Sequence, residues 1–202
     1  DEKEIDNKQY ILDPLSVIIK LLILSKKPNG SKICIYNNIL FIQENNILQP
    51  FIRYLYKNNK NNVQYLYNPI YIACNNYLTE SFIKEHPNIK QIFIAAQKGI
   101  KELINTYTQN TIIVHALYYY YNIIESYIKN KPQKNVFIDD YLTQYYTEDI
   151  IKKISSVWNT DKIKIILELC DYLDRDFQYS KNIKCLEEFM RIIDEDIKEK
   201  II

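Results

Sequence analysis

The chain contains very little glycine: Gly30 and Gly99 are the only two glycines among its 202 residues. Phosphate-binding loops and dinucleotide-binding turns need several glycines at fixed spacing, because their backbone must approach the phosphates closely. The shortage of glycine therefore excludes these nucleotide-binding motifs. It also excludes the nucleophile elbow of serine hydrolases, in which glycines flank the serine.

Cysteine and histidine are scarce as well, with four and two residues. The cysteines lie far apart and form no Cys-x-x-Cys pair, so the ligand spacing of a zinc site is absent. Cys74 and Cys170 fall on apolar stripes, and we predict that they are small core residues in a reducing compartment. We interpret His86 and His115 as structural, His115 as a core or boundary residue, and a role for His115 as a catalytic base is the less favoured alternative. We therefore predict a protein that is not an enzyme and has no metal or cofactor.

Long apolar runs are missing too. No run approaches the roughly 18 residues that a membrane-spanning helix requires. The first residues, Asp1-Glu2-Lys3-Glu4, do not resemble a secretory signal. The net charge is only +1, so no strong overall field favours a nucleic acid or a bilayer. These features are typical of a soluble globular protein.

The charge is nevertheless unevenly distributed. Residues 1–137 carry 16 basic and 10 acidic side chains, and the remainder carries 10 basic and 15 acidic ones. We interpret the two parts as ordinary solvated surfaces, and a basic face that meets an acidic partner is the alternative. The acidic pairs Asp139-Asp140, Glu187-Glu188 and Asp194-Glu195-Asp196 would need a cleft to act as a glycosidase or metal site. We predict that the last two lie on a solvated helix face.

Isoleucine, asparagine, lysine and tyrosine dominate the composition. There are 19 tyrosines, and lysines far outnumber the three arginines, Arg53, Arg175 and Arg191. These residues have codons rich in adenine and thymine. The composition therefore indicates an AT-rich genome, either that of a giant virus or that of a protist.

Apolar residues at helical spacing cover most of the chain. Asp13-Pro14 and Asn68-Pro69 each combine a helix N-cap with a proline at the first helical position. The spacing predicts eight to ten helices, including one from Ile47 to Tyr56, and later ones that begin near residues 87, 111, 147, 160 and 180.

One segment has the period of a β-structure. Lys32–Tyr36 and Ile39–Gln43 are rich in β-branched and aromatic residues and flank Asn37-Asn38, which suits a two-residue hairpin turn. Ile33 and Ile35 share one face, and we expect that face to be buried, because a lone hairpin is marginal in water.

The predicted fold is therefore mostly α: a multi-helix globular domain with one N-terminal β-hairpin near residues 32–43. We divide the chain into a polar leader (1–12), a helical domain (13–131) and an acidic helical subdomain packed on the first (135–202).

Tyrosines next to lysines mark candidate interface regions. This combination is typical of platforms for single-stranded nucleic acid, and tyrosine is also enriched at protein interfaces. Because the composition alone supplies tyrosine, we expect part of it to be simple core packing. The candidate interface residues are Tyr54, Tyr56, Lys57, Lys60, Tyr65, Tyr67, Tyr118 and Tyr119.

Two stretches resemble a known protein family. The first runs from Ile18 to Ile35 and is followed by Ile42-Gln43-Glu44; the second runs from Tyr65 to Ile70 and leads to Ala73-Cys74. Together they resemble an uncharacterised protein shared among the nucleocytoplasmic large DNA viruses, over roughly residues 13–128. The resemblance assigns no activity. It implies a viral protein made in the host cytoplasm, for virion assembly, the viral factory or host interaction.

We therefore predict a non-catalytic viral interaction or structural protein of the host cytoplasm, viral factory or virion. Its expected partner is a viral or host protein or a second copy of itself. One alternative is a nucleic-acid-associated factor that uses the Tyr/Lys surface. Another is a helical host modulator that resembles viral Bcl-2 proteins, although that fold has no use for a hairpin and no BH-type motif is evident.

Overall fold

A computed structural model describes residues 13–26, 31–36, 39–44, 47–56, 63–67, 69–130, 148–174 and 179–201. Over these residues the chain forms eight helices and one antiparallel sheet, which confirms the mostly α fold. The helices are α1 (Pro14–Lys26), α2 (Pro69–Tyr77), α3 (Glu80–Glu85), α4 (Ile89–Thr106), α5 (Thr111–Ile128), α6 (Glu148–Ser155), α7 (Thr160–Asp174) and α8 (Tyr179–Ile201). The strands are β1 (Ser31–Tyr36), β2 (Ile39–Glu44), β3 (Ile47–Tyr56) and β4 (Val63–Tyr67).

The predicted hairpin forms the first pair of a larger sheet. β1 and β2 pair in the expected register, from Ser31 opposite Glu44 to Tyr36 opposite Ile39. The sheet continues to β3 and β4 in the simple order β1-β2-β3-β4. The prediction of a single hairpin was therefore incomplete, because the sheet contains two further strands.

The helix predicted from Ile47 to Tyr56 was wrong, because this segment is strand β3. The register against β2 shifts between Leu40 and Phe41, which lie opposite Ile52 and Pro50 and leave Phe51 as an extra residue. Such a bulge interrupts the alternation of side chains between the two faces. Apolar and polar residues therefore do not alternate along β3, and Ile47, Phe51 and Leu55 have the spacing of a helix face.

Helix α1 lies at the centre of the hydrophobic core. It packs against α2, α4 and α8, and apolar residues are buried almost all round it, as expected of a helix enclosed by its neighbours. Gly99 of α4 allows a close approach: a Cβ added there would lie 3.3 Å from the Cα of Leu22 and 2.9 Å from Oγ of Ser25.

The sheet is attached to the helices through β1. Ile33 is buried in the main core, and its backbone N–H donates a hydrogen bond of 2.7 Å to the Tyr107 hydroxyl at the end of α4. Because β1 is an edge strand, Tyr107 occupies part of an edge that another strand would otherwise use. Phe41 of β2 is also buried.

The acidic part of the chain contributes to the same core. Ile154, Trp158, Ile166 and Ile193 belong to one hydrophobic cluster with the residues of α1. α8 packs against α1, α6 and α7, and α7 packs against α4. The leader (1–12) and the boundary at 131–135 lie outside the described residues, so the division into domains stays a prediction.

Candidate interaction surface

Half of the predicted interface residues lie on two neighbouring strands. The strand register places Tyr54 opposite Tyr65, so the two tyrosine-rich segments 54–56 and 65–67 lie next to each other in the sheet. The structure describes the backbone of these two strands but not their side chains. It describes neither the backbone nor the side chains of Lys57 and Lys60. The strand tyrosines in question are Tyr54, Tyr56, Tyr65 and Tyr67.

The other two predicted residues lie on helix α5. Tyr118 is 51% exposed, the largest exposure among the described large hydrophobic residues. Tyr119 is half-buried, and its ring meets that of the buried Tyr120 edge to face, with centroids 5.9 Å apart. Tyr121 is half-buried on the opposite flank, where Nζ of Lys101 lies 5.4 Å from the ring centroid. We call Tyr118, Tyr119 and Tyr121 the α5 tyrosine face.

A polar network borders this face on the side of α4. Gln97 donates a hydrogen bond to Glu125, and Lys129 forms an ion pair of 3.0 Å with the same carboxylate. The hydrogen bond from Gln97 is the main reason why the pKa of Glu125 lies below its ordinary value, and Lys129 lowers it further. Glu125 is therefore charged at neutral pH and helps to keep α4 and α5 in place.

Aromatic contacts hold α5 against α2. The rings of Tyr71 and Tyr127 meet edge to face at 6.2 Å, and the Tyr127 hydroxyl donates a hydrogen bond of 3.4 Å to Asn75. Burial is the main cause that raises the pKa of Tyr127. Sequence reasoning missed these residues and Lys101, because their partners lie far away in the sequence and no local pattern connects them.

The two histidines differ in environment. His86 is buried, as its structural interpretation requires: its Nδ1 lies 3.3 Å from the Thr160 hydroxyl and its ring packs on Phe82. The prediction of a core or boundary position for His115 was wrong, because His115 is exposed. The buried side of α5 contains Ala116 and Leu117, and His115 points away from it.

Two of the four cysteines lie in the core. Cys74 and Cys170 are buried, as predicted. Burial raises the pKa of Cys74 well above its ordinary value, so its thiol stays protonated. Within the described ranges, no group of three or more His, Cys, Asp or Glu side chains can hold a metal ion.

Two acidic residues of α8 form ion pairs with other helices. Asp194 forms an ion pair of 2.8 Å with Lys20 of α1, and Asp196 forms one of 3.2 Å with Lys162 of α7. These carboxylates were predicted to be merely solvated; instead they connect α8 to two other helices. None of the helices in the described segments is long and apolar enough to cross a membrane.

Comparison with known proteins gives one similarity. The chain is 28% identical over 131 residues to an uncharacterized protein of Acanthamoeba polyphaga mimivirus. The match covers 62% of this chain and 62% of that protein, so the chain spans less than two thirds of its relative. No family model and no solved structure matches. The similarity indicates a giant-virus origin and assigns neither a family nor an activity.

Proposed function

Starting from this similarity to a giant-virus protein, we propose that the chain is a non-catalytic viral protein that binds another protein through the α5 tyrosine face. The observation that supports this role is the 51% exposure of Tyr118 on a helix that is packed on both flanks. Tyrosine is enriched among the residues that contribute most to protein binding, because it offers a large contact area and a polar group.

The surroundings of Tyr118 favour binding. Its neighbours Tyr119 and Tyr121 are half-buried, and Lys101 lies over the ring of Tyr121. A contact surface that is already ordered loses less conformational entropy when a partner binds. The proposed setting is virion assembly, the viral factory or a contact with a host protein, in the host cytoplasm or the virion.

The test compares Tyr118→Ala with Ile165→Ala, which alters another exposed apolar residue, on α7. Each protein is used as bait in extracts of cells infected with the virus that encodes it, and recovered proteins are quantified by mass spectrometry. We expect Tyr118→Ala to reduce recovery of at least one partner by about tenfold or more, because loss of an interface anchor costs on the order of 2 kcal/mol. Ile165→Ala should leave that recovery unchanged. Equal recovery with both variants would contradict the proposal.

A second candidate function is binding to single-stranded nucleic acid. The observation that favours it is the register of Tyr54 opposite Tyr65, which brings two tyrosine-rich strands together beside the segment that contains Lys57 and Lys60. Because phosphates supply most of such affinity, binding should fall steeply with salt and disappear in Lys57→Glu with Lys60→Glu. Titration with oligonucleotides at two salt concentrations separates this function from protein binding. The Bcl-2-like alternative is not retained, because a four-stranded sheet has no place in that helical bundle.

A further inference from the structure

An exposed isoleucine on α4 lies between two lysines. Ile94 is 40% exposed, and Lys90 and Lys98 lie four residues before and after it. Residues four apart share one face of a helix, so the three side chains form a row. Lys98 is exposed and Lys90 is half-buried. We call this row the lysine stripe.

A row of the opposite charge lies on α8. Ile192 is 43% exposed, and Glu188 and Asp196 lie four residues before and after it. The side chain of Glu188 is 59% exposed although Arg191 binds it, and that of Asp196 is 40% exposed although Lys162 binds it. We call this row the acidic stripe.

The two stripes match in spacing and in chemistry. In each stripe the outer charges are eight residues apart, which is about 12 Å along a helix axis. Each has an exposed isoleucine midway between those charges. We propose that the lysine stripe of one copy of this chain binds the acidic stripe of a second copy, with the isoleucines in contact and the lysines opposite the carboxylates.

The contact must join two molecules. Both isoleucines are exposed within one copy, so the two stripes do not cover each other there. α4 packs on α1, α5 and α7, and α8 packs on α1, α6 and α7. Because the two stripes differ, every copy that binds through one still offers the other. The association is therefore head to tail, and it produces chains, or rings if the rotation closes.

A second copy fits this surface better than an unrelated partner, because one molecule carries both halves of the match. A helix pair presents a face about 25 Å long and about 20 Å wide, which limits the buried area to about 1,000 Å² in total. Contacts of this size are weak and transient. The self-association should therefore depend on protein concentration and on salt.

The test is sedimentation velocity on the full chain, from about 5 µM to about 500 µM, at low and moderate salt. We expect the mean mass to rise with concentration and to rise less at moderate salt. Lys90→Glu with Lys98→Glu should weaken association by about tenfold or more, and so should Glu188→Lys with Asp196→Lys. Mixing these two variants should restore association, because each supplies the stripe that the other needs. A chain with all four substitutions should again associate with itself.

Controls separate a lost contact from a lost fold. Lys164→Glu makes the same kind of charge change at an exposed position of α7 and should leave association unchanged. Ile192→Ser leaves the charges of both stripes unchanged. It should also weaken association, because it removes the contact between the isoleucines. Each variant is first shown to unfold cooperatively and to keep the helical circular-dichroism spectrum of the parent. The Asp196→Lys variants should melt at a somewhat lower temperature, because they lose the ion pair with Lys162. A chain that stays monomeric throughout, or one whose association ignores the charge reversals, would refute the inference. Neither result concerns Tyr118, so the proposed function is tested separately.

Discussion

The carboxylate of Asp13 connects the start of α1 to the segment between α6 and α7. It accepts hydrogen bonds from the backbone N–H groups of Leu15 and Ser16 at 3.2 Å, from the Ser16 hydroxyl at 2.8 Å and from Nε1 of Trp158 at 2.5 Å. Its burial raises the pKa of Asp13 to about 6, although these hydrogen bonds act in the opposite direction. The same carboxyl group thus caps α1 and fixes the segment between α6 and α7.

This raised pKa predicts an unusual dependence of stability on pH. Between pH 3.8 and about 6 the folded protein holds this proton more often than the unfolded chain does. The free energy of unfolding should therefore fall as the pH rises through this range, by on the order of 3 kcal/mol from this group. Asp13→Asn should remove that part of the slope, because an amide does not ionise. Urea unfolding followed by the fluorescence of Trp158, the single tryptophan, measures both proteins.

Asp171→Asn is the matched control, because Asp171 is exposed. The difference between Asp13→Asn and the parent should change with pH, whereas the difference between Asp171→Asn and the parent should stay nearly constant. A constant difference for both variants would show that Asp13 does not titrate in this range.

Local sequence patterns predicted only part of this residue-level picture. The N-cap role of Asp13 could be predicted, because it depends on residues within one helical turn. Its bond to Trp158 could not, since the two residues are 145 positions apart. On α5, an exposed tyrosine such as Tyr118 could be expected, because four consecutive tyrosines point all round a helix. The contact between Tyr121 and Lys101 could not, because it depends on how two helices pack.

Among the elements, the strands show most clearly where sequence reasoning fails. β1 and β2 were predicted, because both are rich in β-branched and aromatic residues and flank Asn37-Asn38. β3 was missed because its bulge at Phe51 and its proline at Pro50 remove the usual signals of a strand. Pro50 lies opposite Phe41 of β2, next to the bulge and in the part of β3 that β4 does not pair with, a position where a sheet tolerates proline.

The packing of the sheet on the helices can be tested at Ile33, because this residue is buried in the main core. Ile33→Asp would place a carboxylate in the core beside α4 and should lower the free energy of unfolding by about 3 kcal/mol or more. Lys32→Asp, at an exposed neighbouring position of the same strand, should change stability far less. Thermal unfolding compares the two variants. Equal melting temperatures would mean that the sheet does not pack on the core as described. The sequence predicts the same sensitivity for Ile35, whose side chain lies outside the described part.

At the scale of the whole molecule, the described helices share one hydrophobic core although the chain has two oppositely charged parts. The first part supplies α1, and the second covers it with α8 through the ion pair between Lys20 and Asp194. Trp158 and Ile193 are buried in the same cluster as Leu22. The change in net charge near residue 137 therefore does not mark a boundary in the packing of the described helices.

A shared core predicts that neither part is stable alone. A fragment of residues 1–134 would expose the surfaces of α1 and α4 that α7 and α8 cover, and it should lose cooperative thermal unfolding, because the apolar area removed from water is smaller. Adding a fragment of residues 135–202 should restore cooperativity. Circular dichroism and amide hydrogen exchange measure both effects. A first fragment that melts as cooperatively as the full chain would instead establish two independent domains.

During translation, the ribosome releases helix α1 and its N-cap long before the two residues of the acidic part that bond to them. Trp158 is made 145 residues after Asp13, and Asp194 is made 174 residues after Lys20. At about 5 to 20 residues per second, the first of these delays lasts roughly 7 to 30 s. Helices α2 and α4, which also pack on α1, are made earlier, but the side of α1 that α8 covers lacks its neighbour until α8 is made. We therefore expect chaperones that hold exposed apolar segments to bind this side of α1 while the chain is being made.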